Sequence, residues 1–309
     1  MLANFLSKSK PINFIVLLAL FFCVFLFDAI TVYASKAFTL TIFMENLGFL
    51  LLFLLIFFFY NFVISKNSLT KDNSYAFFIF TVFLSYFIVK LFSFKVLFLL
   101  LIYMLFLRKI YSLKSSKKVL QKLFDSGFWL AILFFIEPFS AMFALLIYVA
   151  TYVHHKITIH TLLTPIVGFC APLFIYYAYC LWFNEVALFA NMFVFKQFNE
   201  ISFYAENNFY WIVIAILTFT VVGYFLKTPK ALSVNNSFKK NWIILTFNLI
   251  ISIFFLLLIP EKTGVEILFL IFPAAVVVAN GLEMIKNDLI KNVVFYLLLI
   301  SSVLYTVLL

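Results

Sequence analysis

The chain has 309 residues, of which 66% are hydrophobic and only 11% charged, against roughly 25% charged in an ordinary soluble domain. A water-soluble globule is excluded. The net charge of +10 does not point to nucleic acid, because the lysines flank long apolar runs, where they set orientation in a membrane.

Lipid offers no partner for an exposed peptide group, and the runs lack the alternation of a membrane barrel strand, so they predict helices. In chain order the candidate spans are 12–33, 43–64, 75–92 and 94–107, then an interrupted apolar region at 127–153, then 161–183, 209–226, 242–259, 265–281 and 293–309. The expected fold class is all-α, a polytopic transmembrane helical bundle of about 10–11 spans, built as a single integral membrane domain over residues 1–309. Lys8 and Lys10, an apolar run and Val32-Tyr33-Ala34 outline a cleavable signal, but Asp28 and the spans downstream suit a retained first helix better.

Region 127–153 decides the topology. Glu137-Pro138 interrupts it, where proline removes a backbone donor and a carboxylate is costly in lipid. As a hairpin, with the N-terminus cytoplasmic, it puts 17 of the 22 basic residues on the inner side; as one kinked span it leaves 12 inside and 10 outside. The positive-inside rule selects the hairpin and places the C-terminus outside. Its first arm, Gly127 to Ile136, is too short to span and predicts a re-entrant element or half-helix.

This topology sorts the acidic residues, which the rule did not use. Asp28, Glu45, Glu137, Glu185, Glu200, Glu206, Glu261 and Glu266 fall at the outer side, and Asp72, Asp125, Glu283 and Asp288 at the inner. Ionisable groups at a membrane boundary commonly line substrate or ion paths, and paired carboxylates can act as a general base or hold a cation. Asp28, Glu137 and Glu45 are therefore the candidate catalytic residues, expected to line one outer cavity. Segment 184–208 reads as an amphipathic helix along the outer leaflet. The basic stretch from Arg108 to Lys122 is expected to meet anionic lipid headgroups rather than a phosphate substrate.

Other signals are bland. Adjacent histidines point about 100° apart on a helix, so His154, His155 and His160 make a poor metal site. Cys23, Cys170 and Cys180 lie in apolar runs without a CxxC pair and read as small buried hydrophobes. No phosphate-binding glycine loop, nucleophile elbow or zincin motif is present, and the sequence leaves cofactor and metal unknown.

Phe128 to Phe183 has a recognisable cadence. A helix breaks at Glu137-Pro138-Phe139-Ser140, a second ends in His154-His155-Lys156, and Leu162-Leu163-Thr164-Pro165-Ile166-Val167-Gly168-Phe169 leads to Ala171-Pro172. This resembles the middle of multi-span glycosyltransferases of the GT-C type, and Pro260 to Ala279 resembles their closing part. The resemblance implies a polyprenyl-phosphate-linked sugar handled at the outer face, with membrane lipids as further partners and Asp28 in place of that type's catalytic or metal-binding acid. The chain departs from the type in its first outer loop, since only sixteen residues separate Asp28 from Glu45. As a whole it looks more like an uncharacterised family of Phe-rich multi-pass proteins of Bacteroidota, which implies a bacterial inner membrane with the C-terminus periplasmic. A transporter or flippase, or a non-catalytic subunit of a membrane complex, is the alternative.

Overall fold

In the computed structural model the described residues are 1–33, 39–193, 209–233, 236–260 and 262–308. They form helices without strands: α1 (Leu2–Leu6), α2 (Pro11–Tyr33), α3 (Leu40–Asn67), α4 (Tyr75–Ser85), α5 (Ile88–Leu91), α6 (Phe94–Ser112) and α7 (Val119–Ile136). A 3-10 turn (Pro138–Phe143) leads into α8 (Ala144–Val153), α9 (Ile159–Trp182), α10 (Val186–Asn191), α11 (Phe209–Ser233), α12 (Asn236–Leu258), α13 (Ile267–Leu282) and α14 (Asp288–Leu308). Among the described residues, seven helices are long and apolar enough to cross a membrane, and Tyr75–Ser85, Pro138–Val153 and Ile267–Leu282 are shorter apolar helices.

The two short helices α4 and α13 form the centre. Every residue of α4 and of α13 is buried, and the two pack on each other, with α2 and α14 also against α4 and α11 and α12 against α13. At 1.5 Å per residue, the 11 residues of α4 rise only ~16 Å, about half the hydrocarbon thickness. The expected span 75–92 is accordingly broken, with α4 ending at Ser85 and α5 starting at Ile88. Phenylalanines knit the layers: the rings of Phe21 and Phe57 meet edge to face at 5.0 Å, and Tyr60 stacks on Phe80 at 3.7 Å.

One helix crossing needs glycine on both of its helices. Between α7 and α9, a Cβ on Gly127 would sit 2.1 Å from the Pro165 carbonyl oxygen, and one on Gly168 would sit 2.2 Å from that of Phe124. Backbone this close to backbone is how membrane helices gain contact, since lipid removes any hydrophobic drive to associate.

The hairpin at 127–153 forms, with its reversal at Glu137. Its first arm is not a half-helix, however. Helix α7 begins at Val119, eight residues before Gly127, because Lys122 and Asp125 find partners on α6 and so can stay helical. The second arm returns to the starting end, where the Lys156 ammonium donates to the Leu113 and Ser115 carbonyls beside the α6–α7 connection.

One end of the bundle collects the basic residues. Asn13 donates to the Lys8 carbonyl and to Ser74, Asn241 to the Asn67 carbonyl, and the N-terminal ammonium to Asn292. These ties hold the terminus, the α3–α4 and α11–α12 connections and the start of α14 at one end; ten of the 17 basic residues assigned to one side by charge belong to these segments and the adjoining helix ends, and the other seven to the α6–α7 and α8–α9 connections and their helix ends. The centre of this end is Glu283, whose Oε1 accepts from the Lys71 N–H and Asn73 at 2.8 Å each and whose Oε2 pairs with Lys227 at 2.8 Å.

Candidate functional sites at the two ends of the bundle

The three predicted carboxylates stand at the end opposite the basic one. Asp28 is 4% exposed near the end of α2, while Glu45, in the second turn of α3, is half-buried. Glu137 is also half-buried and caps α7 with an extended backbone (φ −142°, ψ 98°); its N–H donates to the Leu133 carbonyl, and its carbonyl accepts from the Ser140 N–H. Helices α2 and α3 share aromatic contacts, whereas α7 packs on α6 and α9. Among the described residues no group of three or more His, Cys, Asp or Glu is arranged to hold a metal ion.

The remaining acids of that end divide. Glu266, expected at the surface, is 1% exposed and accepts from the Thr263 N–H and hydroxyl. Lys262 beside it is also buried and caps the end of α12, donating to the Leu256 and Leu257 carbonyls at 2.7 and 3.0 Å. Its burial lowers the ammonium pKa, and Glu266 opposes that shift. Glu185 is exposed ahead of the short α10. Glu200, Glu206, Glu261 and most of the expected amphipathic helix at 184–208 lie outside the described residues.

The basic end holds a cavity of ≈ 600 Å³ between the ends of α3, α6 and α7. Five cations line it, Lys66, Arg108, Lys109, Lys114 and Lys122, with Phe62, Asn67, Ser112 and Ser115 and no carboxylate. Helix C-termini leave carbonyls without intrahelical donors, so lysines are expected to gather there for structural reasons alone. That explanation covers part of the set. Lys122 donates to the Ser112 carbonyl at 2.7 Å, to the Ser115 carbonyl at 3.2 Å and to the Ser115 hydroxyl at 2.7 Å, which uses its three protons. Lys109 pairs with Asp125 at 2.6 Å.

Lys66, Arg108 and Lys114 are not so explained. Among the described residues no hydrogen bond or ion pair engages their side chains. The Arg108 guanidinium lies 5.2 Å from the centroid of the Phe62 ring and 5.8 Å from that of Phe59. This cation–π seat does not consume the guanidinium's five N–H donors. A planar fork with free donors, flanked by two ammonium groups, matches the oxygens of a phosphate.

The surrounding field is positive. Burial, then Lys122 and Lys240, push the Lys156 ammonium pKa down. His154 is lowered to about 4 by burial first and then by Lys156, Lys240, His155 and Lys114, and its Nε2 is buried without a hydrogen-bond partner among the described residues. The sequence reading marked Arg108 to Lys122 but missed Lys66, Phe59 and Phe62, which α3 contributes from more than forty residues away. A single lysine at the end of an apolar helix is too common a signal to single out.

Residues 1–308 of the 309 match one family, described as a family of unknown function (DUF6427). Searches of the curated proteins and of the solved structures found no match.

Proposed function

The chain belongs to that family of unknown function, and from its geometry we propose that this multi-pass membrane protein binds a phosphate-bearing ligand at its basic end. The observation that carries the reading is the ≈ 600 Å³ cavity in which Arg108, Lys66 and Lys114 are left over after the helix ends and Asp125 have taken the other cations. Its volume falls within the roughly 300–1,000 Å³ of small-ligand sites. By the charge rule the basic end is cytoplasmic, which puts the N-terminus inside and the C-terminus outside. The test is 31P NMR titration of inorganic phosphate and pyrophosphate into protein held in uncharged lipid. Each charge-assisted hydrogen bond contributes ~1.5–3 kcal/mol, so Arg108→Ala should weaken binding at least about tenfold. Unchanged binding in Arg108→Ala combined with Lys66→Ala and Lys114→Ala would refute it.

A second reading rests on a different observation, the burial of Asp28 within a spanning helix at 4% exposure. A carboxylate inside a membrane span is costly and is a functional candidate by default. Under the GT-C resemblance Asp28 serves as base or ligand for a lipid-linked sugar at the outer face, with Glu45 and Glu137 as partners. Asp28→Asn should then abolish the cellular function at unchanged protein abundance, and a wild-type phenotype would remove this reading.

A further inference from the structure

Eleven of the 19 residues of helix α6 are buried. Of its 19 residues, only Phe94, Lys95, Phe98, Ile102, Leu105, Arg108, Lys109 and Ser112 keep any appreciable exposure. The steps from 94 to 98, 102, 105, 109 and 112 are three or four residues, so these positions form one stripe along the helix. Helix α3 packs on α6, and so does α7, and the cavity is built from the ends of these same three helices. The stripe is therefore a narrow apolar strip that runs from Phe98 through Ile102 and Leu105 and ends on Arg108 and Lys109 at the cavity.

We propose that the ligand of the basic cavity is a membrane phospholipid, seated with its phosphate against Arg108, Lys66 and Lys114 and one hydrocarbon chain laid along the α6 stripe. This deepens the phosphate-binding reading and rests on it. Two features favour a lipid over a soluble phosphate ester. The cavity wall itself is mixed, with Phe62 beside the cations, as an interfacial headgroup site is expected to be. The apolar strip also leads along α6 to Arg108 and Lys109, which line that cavity. Basic pockets between spans are a recurrent way of holding anionic headgroups. The chain contact adds what a bare basic patch lacks, a means of selecting a lipid approaching from within the bilayer.

Phosphatidic acid is the suitable probe, since its headgroup is the bare phosphate on glycerol. Native mass spectrometry would count bound phosphatidic acid on the full chain, with inorganic phosphate titrated in parallel. Ile102→Trp and Leu105→Trp fill the stripe; each should weaken phosphatidic acid binding at least tenfold and leave inorganic phosphate binding unchanged. Phosphatidic acid bound as in the wild type by both variants would overturn the chain site and leave the phosphate reading standing. Failure of the wild type to bind either probe would overturn both. Should a tryptophan variant not fold, phosphatidic acid carrying a chain diazirine can be photo-crosslinked to the wild type. Adducts on Phe98 to Leu105 support the proposal, and adducts confined to other helices contradict it.

Discussion

Removal of the Glu283 carboxylate should be among the most damaging single changes at the basic end. Glu283 and Lys227 are 2% and 6% exposed at the side chain and lie 2.8 Å apart, so Glu283→Ala leaves a buried ammonium without its carboxylate, facing the Phe238 ring 5.1 Å away. Breaking a buried pair from one side costs ~3–5 kcal/mol. The Lys71 N–H and the Asn73 amide also lose an acceptor, but the first is exposed and water can replace it, so these add at most about 1 kcal/mol. Lys227→Met should cost less, about 3 kcal/mol, because the carboxylate keeps two donors. Combining Lys227→Met with Glu283→Ala removes both charges and should cost no more than Glu283→Ala alone, a coupling of about 3 kcal/mol. Reversible unfolding in mixed micelles, followed by circular dichroism, measures the cycle. Additive effects, or single losses below about 1 kcal/mol, would refute the reasoning and reduce Glu283 to an exposed cap.

The α7–α9 crossing makes a steric prediction: Gly168→Ala drives a methyl to 2.2 Å from the Phe124 carbonyl oxygen, and overpacking of this kind costs ~1–3 kcal/mol or more, read as a lowered thermal midpoint; an unchanged midpoint would mean the helices are not in backbone contact. His154 makes a pH prediction, since its native pKa of about 4 lies below the ordinary 6.5. The unfolded chain binds more protons between those values, so stability rises with pH across that window and falls on acidification; His154→Gln should flatten the slope, and an unaltered slope would place the titration elsewhere. The charge distribution makes a topological prediction: cysteines placed at Lys156 and Lys230 should resist impermeant thiol reagents applied from outside intact cells, and labelling of either would reverse the orientation.

How much of this was legible in the sequence depends on whether the signal was local. Apolar run length and charge asymmetry are local, and they located the helices and the hairpin at Glu137. The start of α7 was not, because Lys122 and Asp125 look like loop residues until α6 supplies their partners. The burial of Glu266 and Lys262 was missed for a similar reason, as each is satisfied within the turn by Thr263 or by carbonyls of α12. Cys23, read as buried, is exposed on the bundle surface, where a small hydrophobe facing lipid has the same composition as one facing protein. The basic cavity lay between these cases. Arg108 to Lys122 was visible as a stretch meeting anionic groups, but the concave shape comes from α3, and no pattern in either segment announces that they meet.

The phosphate reading of the basic end rests on Arg108, Lys66 and Lys114, the cations that the helix ends and Asp125 leave over. The decisive measurement is a cryo-electron-microscopy structure of the protein in nanodiscs containing phosphatidic acid. A phosphate is expected in the cavity with its oxygens ~2.7–2.9 Å from the Arg108 guanidinium nitrogens and with Lys66 and Lys114 turned toward it. An empty cavity with Arg108 paired to a carboxylate of the protein itself would contradict it.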